Sequence, residues 1–482
     1  MMRSLYSGVS GLKNHQTRMD VVGNNISNVN TTGFKSSRVT FSDTLSQTLS
    51  GASAPTENRG GTNPKQIGLG SATSAIDTLF TDGSVQSTGV NTDLCLSGNG
   101  LFIVKDGNLS YYTRNGNFKF DKEGYYVNSD GLKVQGWSAT TPGDAINTNG
   151  QPSEICIPAG KTMAAAATKV ATFSKNLDAA EPRIASMTAT YDDGTTGAIP
   201  ASTATAVEVG KAFGGKVVSS LTLKMTDGTT TTETSGAFKL NNSKPKTTIA
   251  TIYDSLGNAH NVTIYMTKTK VDSTNGNEWT ISLDPAGSKT QTITESDGTT
   301  TTVKMNNDAV LQFDPNGGLK TGSGTATLTL TNGAGSGQSV HMTFDDVTQY
   351  AGSSTAFATT DGNAAGTLKS VSIDSSGVIT GTYTNGLNVQ EAQVAIAQFN
   401  NASGLTKTGN SLYTESNNSG TPNIGTISDL GCTVTPSSLE MSNVDMASEL
   451  TDMIVTQRGY QSNSKIITVS DELLETLINM KR

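Results

Sequence analysis

Charge is scarce in this chain. Lys, Arg, Asp and Glu make up 15% of its 482 residues, where a typical soluble domain carries about 25%. The 41 acidic side chains outnumber the 33 basic ones, for a formal net charge of -8, and the basic footprint of a nucleic-acid binder is missing. Cysteine is also scarce: Cys95, Cys156 and Cys432 are widely spaced and odd in number. That excludes a disulfide framework or a CxxC metal site and reads them as small apolar packing residues. The three histidines, His15, His260 and His341, have no His or Cys at ligand spacing, so neither a zinc site nor a His-based triad is expected. No apolar run approaches the ~18 residues of a membrane-spanning helix. Ser7, Gly8, Ser10, Gly11, Lys13 and Asn14 break up any apolar stretch behind the first residues, so no cleavable secretion signal is expected. Aromatic residues are 6% and hydrophobic ones 34%, which makes for a lean core.

Glycine, threonine, serine and asparagine fill the middle of the chain instead. Asn-Gly and Asp-Gly pairs recur there, at Asn115-Gly116, Asp130-Gly131, Asp227-Gly228, Asn316-Gly317 and Asn385-Gly386, and each is a hairpin signal. Residues 111–120 read as a strand pair about Asn115-Gly116, and 125–137 as another about Asp130-Gly131. The enzymatic lures fail on inspection. Gly160-Lys161-Thr162 copies the end of a phosphate loop, but Ile155 stands where the first glycine must be and Pro158 restricts the backbone. Gly98-Asn99-Gly100 runs into the strand-like Leu101-Phe102-Ile103-Val104, which makes it a turn. Asp192-Asp193-Gly194 is turn chemistry and Asp345-Asp346 a solvated strand end.

Helical periodicity is confined to the two ends. Leu5, Val9, Leu12, Gln16, Met19, Val22, Ile26 and Val29 recur at spacings of three and four, one stripe on a helix. Met446, Leu450, Met453, Gln457, Tyr460, Ser464, Ile467, Asp471, Leu474 and Ile478 do the same. The polar members weaken this second seam, and Ser470-Asp471-Glu472 is a candidate for a local interruption or re-capping. Each stripe must be covered by the other helix or by further subunits. A heterologous contact between such stalks makes a ring or a filament. Residues 43–75, with Pro55, Pro64 and few apolar anchors, read as a linker. The fold class expected is therefore mainly β with terminal α-helices: nested β-domains inserted between N- and C-terminal coiled-coil-like helices. The expected division is a terminal helical domain of 1–30 and 440–482, an extended segment of 31–75, an inner β-domain of 76–145 and 366–439, and outer β-structure over 146–365. Within the last, 186–245 is a candidate second module.

The thirteen residues Gly23-Asn24-Asn25-Ile26-Ser27-Asn28-Val29-Asn30-Thr31-Thr32-Gly33-Phe34-Lys35 resemble the N-terminal signature of the axial proteins of the bacterial flagellum, the rod and hook proteins. Ser442-Asn443-Val444-Asp445-Met446, with Glu449-Leu450, Met453-Ile454 and Gln457-Arg458-Gly459-Tyr460-Gln461-Ser462-Asn463, is similar to the C-terminal one, although the family more often has Ala where Gly459 and Ser462 stand. Ile252-Tyr253-Asp254-Ser255-Leu256-Gly257-Asn258-Ala259-His260 resembles an outer-domain motif of hook proteins, and the large insert favours hook over the shorter distal rod. The resemblance implies a structural, non-enzymatic subunit with no cofactor. Its terminal helices would line the channel of a curved hollow tube, a universal joint carrying motor torque to the filament. The partners implied are further copies of itself, the rod, hook-cap and hook-filament junction proteins, and the type III export apparatus; neither nucleic acid nor membrane insertion is expected. Self-assembly would fall to Leu5, Val9, Leu12, Met19, Val22, Asn24, Asn25, Ile26, Asn28, Val29 and Phe34 at one end. Val444, Met446, Leu450, Met453, Gln457, Tyr460, Ile467 and Leu474 would serve at the other. Two alternatives stay open: a distal rod or hook-filament junction subunit and, from another class, a secreted all-β adhesin or glycan-binding protein. Similarity to spirochaete hook proteins also raises a Cys-Lys cross-link between subunits. Here Cys156 lies near Lys161, while the family's cysteine falls further along, where Lys175-Asn176 stand.

Overall fold

The periodic ends form two long helices, α1 (Met2–Ser27) and α2 (Met446–Asn479). The computed structural model describes residues 2–480 apart from 58, 141, 142, 144, 273, 296, 297, 308, 321–324, 333 and 334. At the end of α1 the Asn28 side chain donates to the Asn24 carbonyl and the Thr31 N–H to the Asn28 carbonyl. The chain therefore turns at Asn28, and Val29, expected as the last member of the stripe, lies in the turn beyond the helix. Asp445 caps α2, its carboxylate accepting from the Ala447 and Ser448 N–H groups, a contact worth about 1 kcal/mol. Glu449 in the first turn complements the helix dipole. The break expected at Ser470-Asp471-Glu472 does not occur. Ser470 turns its hydroxyl back to the Ile466 carbonyl, 2.8 Å away, and α2 runs on to Asn479.

The chain between the helices is built of strands. By its internal packing the protein divides into two units, Met1–Lys161 with Leu368–Arg482, and Thr162–Thr367. The first holds both helices and a mixed-order sheet. Strand Val378–Tyr383 is followed across that sheet by Asn388–Val394, Lys133–Ser138, Gly100–Asp106, Leu109–Thr113, Leu412–Thr414 and Thr406–Gly409. Strands from before the insert thus lie between strands from after it, and one core, with Phe102, Phe118 and Tyr126 beside Ile379, Val394 and Ile396, binds both chain segments. Phe102 and Phe118 meet edge to face with centroids 5.2 Å apart, a geometry aromatic quadrupoles favour.

Of the two hairpins expected here, one forms. The Asp130-Gly131 turn joins Tyr126–Asn128 to Lys133–Ser138, with Val127 opposite Lys133. Around Asn115-Gly116 the flanking strands do not pair: Leu109–Thr113 lies between Gly100–Asp106 and Leu412–Thr414, and Phe118–Phe120 pairs with Tyr126–Asn128. Gly116 instead packs its backbone on Leu94, accepting the Leu94 N–H, so the chain there passes across another segment rather than turning back. The segment read as a linker contains paired strands. Ser37–Asp43 is antiparallel to Ser71–Thr78, and Ser46–Ser50 to Lys65–Gly68. Every residue of the latter pair is exposed, which is why the segment carries no apolar pattern.

The second unit contains two cores. Residues 184–240 form a twisted sheet around Leu221, Leu223, Met187 and Val218. The rest is two facing sheets. In one, Val170–Asn176 runs parallel to Gly335–Thr348; the other is the meander Lys246–Tyr253, Ala259–Lys270 and Glu278–Ser282 with Val310–Gln312. Their inward residues include Trp279, fully buried, and Phe173 stacked on Phe344 at 4.4 Å. Truncating Phe344→Ala is expected to destabilise this unit by about 3–5 kcal/mol through the cavity it leaves. Denaturant titration followed by Trp279 fluorescence in a Trp137→Phe background reads that unit; an unchanged midpoint would contradict the assignment of Phe344 to its core.

Candidate assembly surface

Both helices root at one buried ionic cluster. Lys35 Nζ donates to Glu440 Oε1 at 2.6 Å and to the Thr81 carbonyl at 2.7 Å. Arg114 donates to the Leu96 carbonyl at 2.8 Å, reaches Glu440 Oε2 at 3.4 Å, and extends its other nitrogen to Asp82 and the Gly98 carbonyl. Lys35, Arg114 and Glu440 are essentially inaccessible to solvent. Burial pushes the Lys35 amine below its ordinary value, and the Glu440 carboxylate beside it opposes the shift. Removing one partner of such a cluster strands the other's charge in the interior.

Hydrogen bonds from the two terminal motifs surround this cluster. The Asn25 side chain accepts the Ser37 N–H and donates to the Ser37 carbonyl and to Glu449 Oε1. Asn443 accepts the Ser36 N–H and donates to the Leu79 carbonyl and Thr81 hydroxyl. Gly33 donates to the Glu440 carbonyl at 2.8 Å. It adopts φ +66°, and a Cβ there would fall 2.5 Å from the Asn115 nitrogen, so the position requires glycine. Asn24, Asn28 and Phe34 line a hollow of about 450 Å³ with Asn410, Ser411 and Lys407. Lys407 stacks its ammonium 4.9 Å from the Phe34 ring, and burial lowers its pKa.

From these roots α1 and α2 run antiparallel. Apart from Val22, the face each turns to the other is one position round from the periodic stripe read in the sequence. Gly8, Gly11, His15, Arg18, Val22 and Asn25 on α1 meet Glu449, Asp452, Thr456, Gly459, Asn463 and Ser470 on α2. Arg18 pairs with Asp452 at 2.9 Å, Asn463 lies against Gly8 and Gly11, and His15 lies over Gly459. Val22, Thr456 and Ser470 are buried. The expected self-assembly residues fall outside this seam or on its margin, apart from Val22 and Asn25. Val9, Asn24, Met446, Leu450, Gln457 and Tyr460 are exposed, while Leu5, Leu12, Met19, Ile26, Met453, Ile467 and Leu474 are half-buried, as are Val29, Asn28, Phe34 and Val444. The periodicity missed the anchors Lys35, Arg114, Glu440 and Asn443. Lys35 and Asn443 stand inside the motifs that carry the resemblance, and Arg114 and Glu440 had no such signal.

Four family models match the chain: the flagellar basal body rod protein model over residues 5–35, the FlgE/F/G hook protein D1 domain over 95–172, the FlaE D2 domain over 223–366 and the FlgEFG C-terminal model over 435–480. The flagellar hook protein FlgE of Treponema pallidum is 38% identical over 516 aligned residues that cover 100% of both chains. That of Borreliella burgdorferi is 38% identical over 509, again with full coverage of both. The chain belongs to the flagellar hook protein family. The basal-body rod protein FlgG of Bacillus subtilis is 48% identical over 183 residues, but that match covers 36% of this chain and 69% of the rod protein, which leaves the rod alternative without most of the insert. No match supports the adhesin or glycan-binding reading.

Glycine at position 459 has a local cause: a Cβ there would lie 2.6 Å from the His15 ring. The candidate cross-linking pair is partly engaged inside the subunit. Lys161 Nζ is 2.6 Å from the buried Glu391 carboxylate, and Cys156 is a half-buried free thiol.

Gly33→Ala should strain the junction by about 1–3 kcal/mol, seen as an earlier loss of Trp137 fluorescence in denaturant and faster proteolytic release of the helices; wild-type behaviour would refute the tight fit. Glu449 supplies a pH test. Burial raises its pKa above the ordinary 4.5, with the Asn25 hydrogen bond opposing. Its contribution is therefore full below about 4.5 and fades as the pH rises through the higher folded value. Glu449→Gln, which keeps the acceptor without the charge, should raise the helix-pair melting temperature relative to wild type more at pH 7 than at pH 4, followed by ellipticity at 222 nm. Equal differences at the two pH values would count against it.

Proposed function

We propose that this protein is a structural subunit of the bacterial flagellar hook that polymerises through its terminal helices. The observation that carries the reading is the apolar surface left open on the helix pair: Val9, Leu450, Ile454, Leu473 and Leu477 are each 41–59% exposed. Such a stripe is covered in a stable assembly. The seam between α1 and α2 uses small and polar residues, which leaves the large aliphatic ones for contacts between subunits. In the polymer the terminal helical domain, 1–30 and 440–482, forms the inner tube. Residues 31–75 bridge outward, 76–145 with 366–439 form the inner shell, and 146–365 the outer one. The tube would pass motor torque to the filament while its lumen serves export, with rod, hook-cap and junction proteins at its ends and the type III apparatus as its exporter. The candidate assembly residues in this reading are the nineteen named from the sequence.

The reading is tested by negative-stain electron microscopy of the full chain beside a chain lacking 1–30 and 445–482, each seeded with pre-made hooks. Tubes from the full chain alone are expected. Tubes from both, or from neither, would overturn polymerisation through the terminal helices.

A further inference from the structure

Six Asn-Gly pairs lie wholly within the described residues: Asn99-Gly100, Asn115-Gly116, Asn149-Gly150, Asn275-Gly276, Asn316-Gly317 and Asn385-Gly386. An asparagine before glycine is the least hindered setting for attack of the next main-chain nitrogen on the side-chain carbonyl carbon, because glycine puts no side chain beside that nitrogen. The attack needs an unengaged glycine N–H and a carboxamide able to swing over it. Five of the six pairs are held back. In three turns the glycine N–H is already donated: Gly276 to the Asp272 carbonyl at 2.8 Å, Gly317 to that of Asp314 at 2.9 Å and Gly386 to that of Tyr383 at 3.0 Å. The carboxamides of Asn275 and Asn385 are engaged as well, the first donating to Asp272 Oδ2 and the second accepting the Leu387 N–H. Asn115 accepts the Asn117 N–H, and its glycine is packed on Leu94. Gly100 is buried at the start of a strand, against Leu96, Ile396 and Cys432. Of the six, Asn149-Gly150 alone is open. Both residues are exposed, and neither the Asn149 carboxamide nor the Gly150 N–H has a hydrogen-bond partner among the described residues. Nothing stands within 4 Å of the place a Cβ on Gly150 would take. On its far side the pair carries a structural contact. The Gly150 carbonyl accepts the indole N–H of Trp137 at 2.7 Å, and Trp137 is 6% exposed in the core it shares with Ala395, Ala397 and Phe399.

We propose that Asn149 is a modification site, at which spontaneous deamidation to isoaspartate releases the Trp137 anchor. The Gly150 nitrogen bonds to Asn149 Cγ. The Cγ–Nδ2 bond breaks, and Nδ2 leaves as ammonia, taking with it the proton of the Gly150 N–H. The cyclic succinimide that results holds the Gly150 nitrogen between two carbonyl carbons, Cγ and the main-chain carbon of Asn149, and water then opens it. Cleavage at Cγ gives an aspartate in an unaltered main chain. Cleavage at the main-chain carbon leaves the chain running through Cβ and Cγ, one carbon longer, with the former main-chain carbonyl as a free carboxylate. Water is the only co-reactant, and nothing is oxidised or reduced. The extra carbon stands directly before the residue whose carbonyl holds Trp137. A displaced carbonyl leaves the indole N–H buried without an acceptor, which is costly, so Trp137 moves toward water. The sequence marks every one of these pairs alike as a turn signal; the partner of each glycine N–H decides which can react.

The test is incubation of the full chain, folded and in urea, in neutral and mildly alkaline buffer. Peptide mass spectrometry and labelling by an isoaspartyl methyltransferase read each pair. In the folded chain isoaspartate is expected at Asn149 ahead of the five others by roughly fivefold or more, the factor by which one hydrogen bond that must first break holds a reaction back. Loss of the Gly150 amide proton starts the step, so the rate should rise with pH, and in urea the preference for Asn149 should vanish. A folded chain in which another pair leads, in which all six react alike, or in which Asn149 stays intact would overturn the assignment. The anchor is read from tryptophan emission of wild type aged beside Asn149→Gln, a comparison in which the contribution of Trp279 cancels. A red shift that grows with the isoaspartate fraction is expected in wild type alone; unchanged emission while Asn149 converts would overturn the release of Trp137. Gly150→Ala, which has room for its methyl group, should slow the conversion and the red shift together.

Discussion

Everything outside the β-structure hangs from the buried contact of Lys35, Glu440 and Arg114. Lys35 and Glu440 are 405 positions apart, yet a 2.6 Å ion pair brings both ends of the chain to one point. Two cations around one buried carboxylate are a poor way to gain stability, because desolvation offsets most of the attraction. What the arrangement supplies is a unique register. Glu440 also accepts the Gly83 N–H, and its backbone carbonyl holds Gly33, so a slip of either chain segment by one residue would leave several buried groups unpaired. The helices leave this point side by side and have little choice but to pair.

How they pair follows from the residues at the seam. Gly8, Gly11 and Gly459 let the helices approach, and Asn463 and His15 fill the space opposite. Polar seams with an ion pair and few buried aliphatic side chains hold two helices loosely, since the apolar area removed from water is small. Aliphatic residues such as Val9, Leu450, Ile454 and Leu473 consequently remain outward, the reverse of what an isolated hairpin would choose. In a monomer this arrangement wastes hydrophobic free energy; in the assembly proposed above the same area supplies the driving force.

The β-units follow a different rule. Strands such as Thr290–Thr294 and Thr300–Met305 alternate threonine with buried Val303 and Met305, so one face supplies a core while the other stays wettable with few charges. Left-handed glycines at the Asp227-Gly228 and Asn316-Gly317 turns let the strands reverse tightly.

The sequence by itself determined that helices stand at both ends, that the middle is β, and that the chain resembles hook proteins. Period, turn chemistry and motif are local properties carried by neighbouring residues. It did not determine which strands pair, because Asn115-Gly116 looks like any hairpin turn until Leu412–Thr414, far along the chain, takes the edge of Leu109–Thr113 that a returning strand would need. Nor did it determine which helical face meets which. A stripe such as Leu5-Val9-Leu12 shows only that a surface must be covered. Only the tertiary structure showed that small and polar neighbours one position away form the seam, because closeness of approach depends on the residue opposite.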